Sequence, residues 1–103
     1  MPIADDVRLA AGVVIHHPEL VNLYGCQIGA DSTIGPFVEI QRDVRIGRRC
    51  KIRRCILDED CVIPDGLSIG HDAAADQERF FVTRGGVVLV TQDMLRAMSP
   101  LSA

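Results

Sequence analysis

The chain has no tryptophan, one tyrosine and three phenylalanines, little aromatic surface for an ordinary globular core. No apolar run approaches the roughly 20 residues that cross a bilayer, so no membrane association is expected. The four cysteines, Cys26, Cys50, Cys55 and Cys61, form no CxxC pair, which removes zinc-site spacing and leaves no metal to expect. They read as reduced thiols, small buried side chains or solvent-edge residues. No GxGxxG or GxxxxGKS/T stretch occurs, so a phosphate-cradling nucleotide loop is missing. The net charge of −3, from 14 acidic and 11 basic residues, argues against general nucleic-acid binding but leaves room for a local basic site. The opening Met1-Pro2-Ile3-Ala4-Asp5-Asp6 lacks the basic and apolar parts of a signal peptide, so a cytoplasmic location is expected.

What the sequence does have is isoleucine at a fixed interval. Ile28, Ile34, Ile40, Ile46 and Ile52 stand six residues apart. The phase extends upstream through Leu9, Ile15 and Val21, with a seven-residue step to Ile28. It extends downstream by a five-residue step to Leu57, then Ile63 and Ile69. A period of six fits neither a helix nor one long alternating strand. It fits short strands joined by tight corners, three faces to a coil, with the repeated residue stacked inward. β-Branched side chains suit such surfaces. Gly29, Gly35, Gly47 and Gly70 each follow an inward position, where the chain turns and a Cβ would be crowded. Val13, Ser32, Val38, Val44, Cys50 and Cys61 form a second inward column of small or β-branched residues. Tyr24 and Phe37 fall off the main column, as does Leu23, and some of these are expected outward as contact residues.

The tail is built differently. Asp72 can cap a helix through Ala73–Arg79. Phe80–Thr83 and Val87–Val90 read as two strands around Arg84-Gly85-Gly86, with only one of Phe80 and Phe81 able to face the coil. Thr91 can cap a last helix from Gln92 to Met98, ended by Ser99-Pro100. The expected organisation is a lead-in over 1–8, a β-helix over 9–71 and a capping segment over 72–103 that closes the open end of the solenoid.

Two resemblances meet in this chain. Residues 7–52, with VVIHHPELVNLYGCQIGADSTIGPFVEIQRDVRIGRRCKI, resemble the opening coils of hexapeptide-repeat acetyltransferases that modify amino groups on nucleotide-linked sugars. Residues 44–98, with IRRCILDEDCVIPDG and GGVVLVTQDML, resemble the C-terminal end of bacterial ADP-glucose pyrophosphorylase, glucose-1-phosphate adenylyltransferase. The overlap at 44–52 keeps the inward column in phase, the pattern of a mosaic. The resemblance implies an all-β fold: a left-handed parallel β-helix of about three and a half coils with a C-terminal helix–hairpin–helix cap. The hand comes from the resemblance, because parallel crossovers in general are right-handed.

The pyrophosphorylase resemblance implies chemistry in a large nucleotide-binding domain that precedes the β-helix and lies outside this sequence, so adenylyl transfer by these residues alone is not expected. The acetyltransferase resemblance implies acetyl-CoA bound between the β-helices of a trimer, through later coils that are replaced here. His16 and His17 are the visible general-base candidates, although a polar pair at a corner beside Pro18 is the favoured reading. His71 reads as a surface or capping residue. Arg42, Arg45, Arg48, Arg49, Lys51, Arg53 and Arg54 crowd into a short stretch, either a solvated surface balanced by neighbouring acids or a site for sugar phosphates, where arginine offers paired donors. In the pyrophosphorylase family, basic residues near the last helix help bind phosphorylated effectors. Arg96 matches one such position, while Gln92 and Glu59 stand where members carry arginine. The expectation is therefore a non-catalytic assembly or regulatory module without a cofactor, forming a homo-oligomer, a trimer for preference, with weak sugar-phosphate binding through Arg53, Arg54 and Arg96. The alternative is an acetyltransferase, fragment or minimal enzyme, acting on a nucleotide-linked amino sugar with acetyl-CoA.

Overall fold

A computed structural model describes residues 3–97. The first coil contributes β1 (Arg8–Leu9), β2 (Val14–Ile15) and β3 (Val21–Leu23). The second contributes β4 (Gln27–Ile28), β5 (Thr33–Ile34) and β6 (Val38–Ile40). The third contributes β7 (Arg45–Ile46), β8 (Lys51–Ile52) and β9 (Cys55–Leu57). The fourth begins with β10 (Val62–Ile63) and β11 (Ser68–Ile69), and the chain then leaves the coil through α1 (Ala73–Arg79). Each strand pairs in parallel with its equivalent one coil away. Sheet 1 is β1-β4-β7-β10, sheet 2 is β2-β5-β8-β11 and sheet 3 begins β3-β6-β9. The fold is a parallel β-helix of three faces.

The isoleucine column is the core. Register stacks Ile28 on Ile46 and Ile46 on Ile63 in sheet 1, and Ile34 on Ile52 and Ile52 on Ile69 in sheet 2. All of these residues are buried. Because side chains alternate along a strand, the residue two positions earlier also points inward. Cys26, Val44 and Cys61 line one corner, Ser32 and Cys50 another, and Val21, Val38 and Cys55 the third; every one is buried. Ser32, the polar member, donates from Oγ to the Gly47 carbonyl at 2.8 Å and accepts from the Cys50 N–H at 3.0 Å, which removes the cost of burying a hydroxyl.

Three expectations are corrected here. The structure puts Leu23, not Val21, opposite Ile40 and so in the main column; Val21 lies opposite Val38 in the second column. The cause is a short 3-10 turn, Pro18–Leu20, which lengthens the corner between β2 and β3. Leu23 is accordingly buried rather than outward, while Tyr24 and Phe37 are exposed. Leu9 keeps its phase but is 47% exposed, because it belongs to the first coil and stacks on one side only. Of the four glycines after the inward residues only Gly70 is left-handed, with φ of 86°, while Gly29, Gly35 and Gly47 have ordinary φ. Most corners instead place a left-handed residue three positions before the inward one, at Gly12, Asp31, Phe37, Asp43, Arg49, Arg54, Asp60 and Gly66. Asp tolerates that region better than most. The glycines are needed for close approach, since a Cβ on Gly35 would lie 2.8 Å from that of Arg53.

The tail closes all three sheets at their C-terminal edge. Strands β12 (Phe81–Val82) and β13 (Val88–Val90) form an antiparallel hairpin, and β13 adds in parallel to β9, stacking Val90 on Leu57. It thereby supplies the third face that the fourth coil lacks. Helix α1, capped by the Asp72 carboxylate accepting from the Ala75 N–H, covers sheet 2. From it the Asp76 carboxylate accepts the Gly70 N–H at 3.0 Å and pairs with Arg79 at 3.1 Å, and Arg79 donates to the Ser68 carbonyl at 3.1 Å. Helix α2 (Gln92–Ala97) covers sheet 1, where the Gln92 side-chain oxygen accepts the Val62 N–H at 3.0 Å. Phe80 is buried at 6% and Phe81 is 55% exposed, as alternation requires. The expected extension of the last helix to Met98 lies outside the described residues.

Candidate functional site

The corner between sheets 2 and 3 is where side chains of different coils converge. The station after the inward residue is filled by His16, Gly35, Arg53 and Gly70 in successive coils. The two glycines leave room on either side of Arg53, whose Nε donates to the Gly70 carbonyl at 2.8 Å. Arg54 is left-handed, with φ of 48°. Its N–H donates to the Pro36 carbonyl and its own carbonyl accepts the Val88 N–H, each at 3.0 Å. Its guanidinium passes beside Gly86, where an added Cβ would stand 3.6 Å from Nη1.

Between these arginines and the tail lies a cleft of about 410 Å³. Arg53 and Arg54 supply its positive charge and His71 a titratable imidazole, while Phe37, Val82 and Val88 supply apolar wall. Asp76 also borders it, but is 2% exposed and committed to Arg79 and the Gly70 N–H. Among the described residues no carboxylate forms an ion pair with Arg53 or Arg54; the ion pairs are His17–Glu19, Asp76–Arg79 and Asp93–Arg96. Partial burial, then repulsion from Arg53 and Lys51, hold the His71 imidazole below its ordinary range, with Asp76 opposing them. Arginine guanidiniums carry forked donors whose geometry matches that of carboxylates and phosphates.

The other sequence candidates are placed elsewhere. His16 and His17 are exposed and share a shallower depression of about 310 Å³ with Thr33, Arg53 and His71 on the far side of Arg53. His17 is left-handed ahead of Pro18, and its Nδ1 stands 3.5 Å from Glu19. Arg96 lies on the exposed side of α2, paired with Asp93 at 3.4 Å, and does not line the cleft. Gln92 is occupied in capping β10. The basic run is dispersed: Arg45 points outward from sheet 1 and Lys51 from sheet 2, Arg42 sits at a corner with Asp6 and Asp43, and the Arg48 N–H donates to Asp65 at 2.8 Å. Of the seven, Arg53 and Arg54 alone line the cleft. Sequence reading missed His71 and Phe37 as its neighbours; the signal available was that Phe37 is one coil from Arg54, and His71 one coil from Arg54 on the other side.

The thiols offer no nucleophile. Burial first, then Asp6, pushes the Cys26 thiol up to about 11, and burial first, then Asp58, does the same to Cys61. Burial also raises Cys50 and Cys55. The reactive species is the thiolate, and these groups stay protonated near neutrality.

Comparison with known proteins agrees with the geometry. The family model described as GlmU-like, C-terminal hexapeptide, matches residues 3–90. The chain belongs to this hexapeptide family. Its three-sided coil is therefore the left-handed β-helix of hexapeptide repeats. Glucose-1-phosphate adenylyltransferase of Yersinia pseudotuberculosis is 57% identical over 53 residues, which are 52% of this chain and 12% of that protein. The enzyme of the same name from Pasteurella multocida is 54% identical over 56 residues, 54% of this chain and 13% of that protein. The hexapeptide chain thus spans 12% to 13% of the length of these relatives, and the similarity concerns a small part of them.

Proposed function

We propose that this domain is a non-catalytic assembly and regulatory module, like the C-terminal domain of ADP-glucose pyrophosphorylase, that associates with copies of itself and binds a sugar phosphate weakly at Arg53 and Arg54. The observation that carries the assembly part is the asymmetry of the three outer faces. The outward row of sheet 1 is Arg8, Gln27, Arg45 and Val62, and that of sheet 2 is Val14, Thr33, Lys51 and Ser68. On sheet 3 the row runs Asn22, Glu39, Ile56, Leu89 and Phe81, so that docking of the hairpin builds three adjacent apolar side chains on one face. A contiguous apolar patch on a small polar surface marks a contact.

Light scattering is expected to show a homo-oligomer, a trimer for preference, whose dissociation constant rises about tenfold or more in Phe81→Glu, given the roughly 1.5–3 kcal/mol that burying one large apolar side chain contributes. A monomer at all concentrations would overturn the assembly reading. The same preparation is expected to make no ADP-glucose from ATP and glucose 1-phosphate; turnover above a contamination control would overturn the non-catalytic reading. Saturable acetyl-CoA binding with chemical-shift changes at His16 and His17 would favour acyl transfer instead.

A further inference from the structure

This inference rests on the anion-binding reading of the Arg53–Arg54 cleft and adds a third ligand and a proton to it. We propose that His71 is a proton-linked ligand of the cleft, which therefore takes a dianionic phosphate-type group, its carbon skeleton against Phe37 and Pro36, and holds it more tightly when His71 is protonated.

The placement is set by the fold. His71 follows Gly70, whose carbonyl is bound by Arg53 Nε at 2.8 Å and whose N–H is held by Asp76 at 3.0 Å. These two bonds tether the backbone beside the imidazole between the arginine corner and α1. His71 lines the cleft together with Arg53 and Arg54, and lines the adjoining depression with His16 and His17. The charged groups facing it are Lys51 and Arg53 from the third coil, Arg54 beyond them, and Asp76 from α1, whose carboxylate is already shared by Arg79. Asp72, next in the chain, turns its carboxylate to the Ala75 N–H of α1, and repulsion from Arg53 and Lys51 outweighs Asp76, so in the empty cleft a proton on His71 adds like charge to like charge. Its tendency to lose that proton early has this cause together with partial burial.

A dianion seated between Arg53 and Arg54 reverses the sign of the field at His71. Protonated imidazole then becomes a third donor to the ligand, while the neutral ring loses nothing it had before. Linkage is reciprocal: whatever factor the anion adds to proton affinity, the proton adds to anion affinity. A rise of one unit in the imidazole pKa corresponds to about a tenfold gain in anion affinity between the two limits. The apolar wall of Phe37 and Pro36 suits the carbon face of a small phosphorylated ring and not a bare ion, which is why the class is a phosphate ester.

Sulfate is the probe, because it stays a dianion across the range in which histidine titrates, so any pH dependence belongs to the protein. Ionic strength is held constant with chloride, since such contacts are screened. In the full chain, sulfate is expected to shift the Arg53, Arg54 and His71 signals in NMR, to raise the His71 titration midpoint by about one unit, and to bind several-fold more tightly at pH 5.5 than at pH 8, approaching about tenfold only well below the midpoint of the free protein. H71Q is expected to bind with the wild-type pH 8 affinity at every pH. Replacing His16 and His17 together by Asn is expected to leave the pH dependence in place; its loss there would move the link away from His71 and overturn the proposal. Sulfate binding that perturbs the two arginines but is flat with pH, and unchanged in H71Q, would overturn the proton link and leave the arginine site standing. No sulfate-induced change at Arg53, Arg54 or His71 at any pH would overturn the anion-binding reading and this inference with it.

Discussion

Removing everything from Asp72 onward is expected to cause aggregation or loss of cooperative unfolding relative to the full chain. The deleted segment takes away three different edge closures. Sheet 3 loses β13, leaving β9 as a bare strand with Cys55 and Leu57 uncovered on their C-terminal side. Sheet 2 loses the Asp76 carboxylate from the Gly70 N–H and the Arg79 guanidinium from the Ser68 carbonyl. Sheet 1 loses Gln92 from the Val62 N–H. Rows of unpaired backbone groups beside apolar side chains template strand addition, and terminal repeats of solenoids need a cap for solubility. A milder form of the same test is Asp76→Ala, which leaves the half-buried Gly70 N–H and the Arg79 guanidinium without their carboxylate and is expected to cost about 1–3 kcal/mol in urea denaturation. Sedimentation and thermal melting of the deletion variant check the stronger claim. A truncated chain that stayed soluble and melted at the same temperature would show that the tail serves a partner surface instead of a lid.

The parts of this fold that were legible in the sequence are those with a local cause. The hexad phase gave the column from Ile28 to Ile69, because one buried residue per face is a periodic requirement. Asp72 and the Ala73–Arg79 run gave the helix, because a cap and its helix are neighbours in sequence. Leu23 was misplaced because the Pro18–Leu20 turn adds residues to one corner, and a turn of that kind shifts the register by an amount no spacing rule contains. The return of β13 to sheet 3 was not legible at all: the Val88–Val90 strand pairs with Cys55–Leu57 across a helix and a hairpin, and parallel partners after a long crossover are not specified by local pattern. The cleft was half legible. Arg53 and Arg54 stood out as charge, but their convergence with His71 depends on which coil each corner belongs to. That follows only after the register is known. Arg96, picked by resemblance, turns out to stand on α2 beside Asp93.

Ile46→Ala is expected to cost about 2–5 kcal/mol, as truncation of a buried aliphatic side chain does. Ile46 lies inside a four-residue stack, Leu9, Ile28, Ile46 and Ile63, with Ile28 on one side of it and Ile63 on the other, so both of its neighbours lose contact when the side chain is removed. A chain of this size has a total stability of only about 5–15 kcal/mol, and the single change would remove a large part of it. Leu9→Ala supplies the control. It lies in the same column and loses a side chain of the same size, but is 47% exposed with a neighbour on one face, and so is expected to cost under about 1 kcal/mol, well below the penalty for a filled core position. In a solenoid, stability is carried by nearest-neighbour interfaces between coils, so the ratio of the two losses measures how strongly the third coil is held by the second and fourth. Urea denaturation of both variants reads it directly. Equal losses at the two positions would mean that the stacked isoleucines are not the energetic core, and that the cap or the corner hydrogen bonds hold the coils together instead.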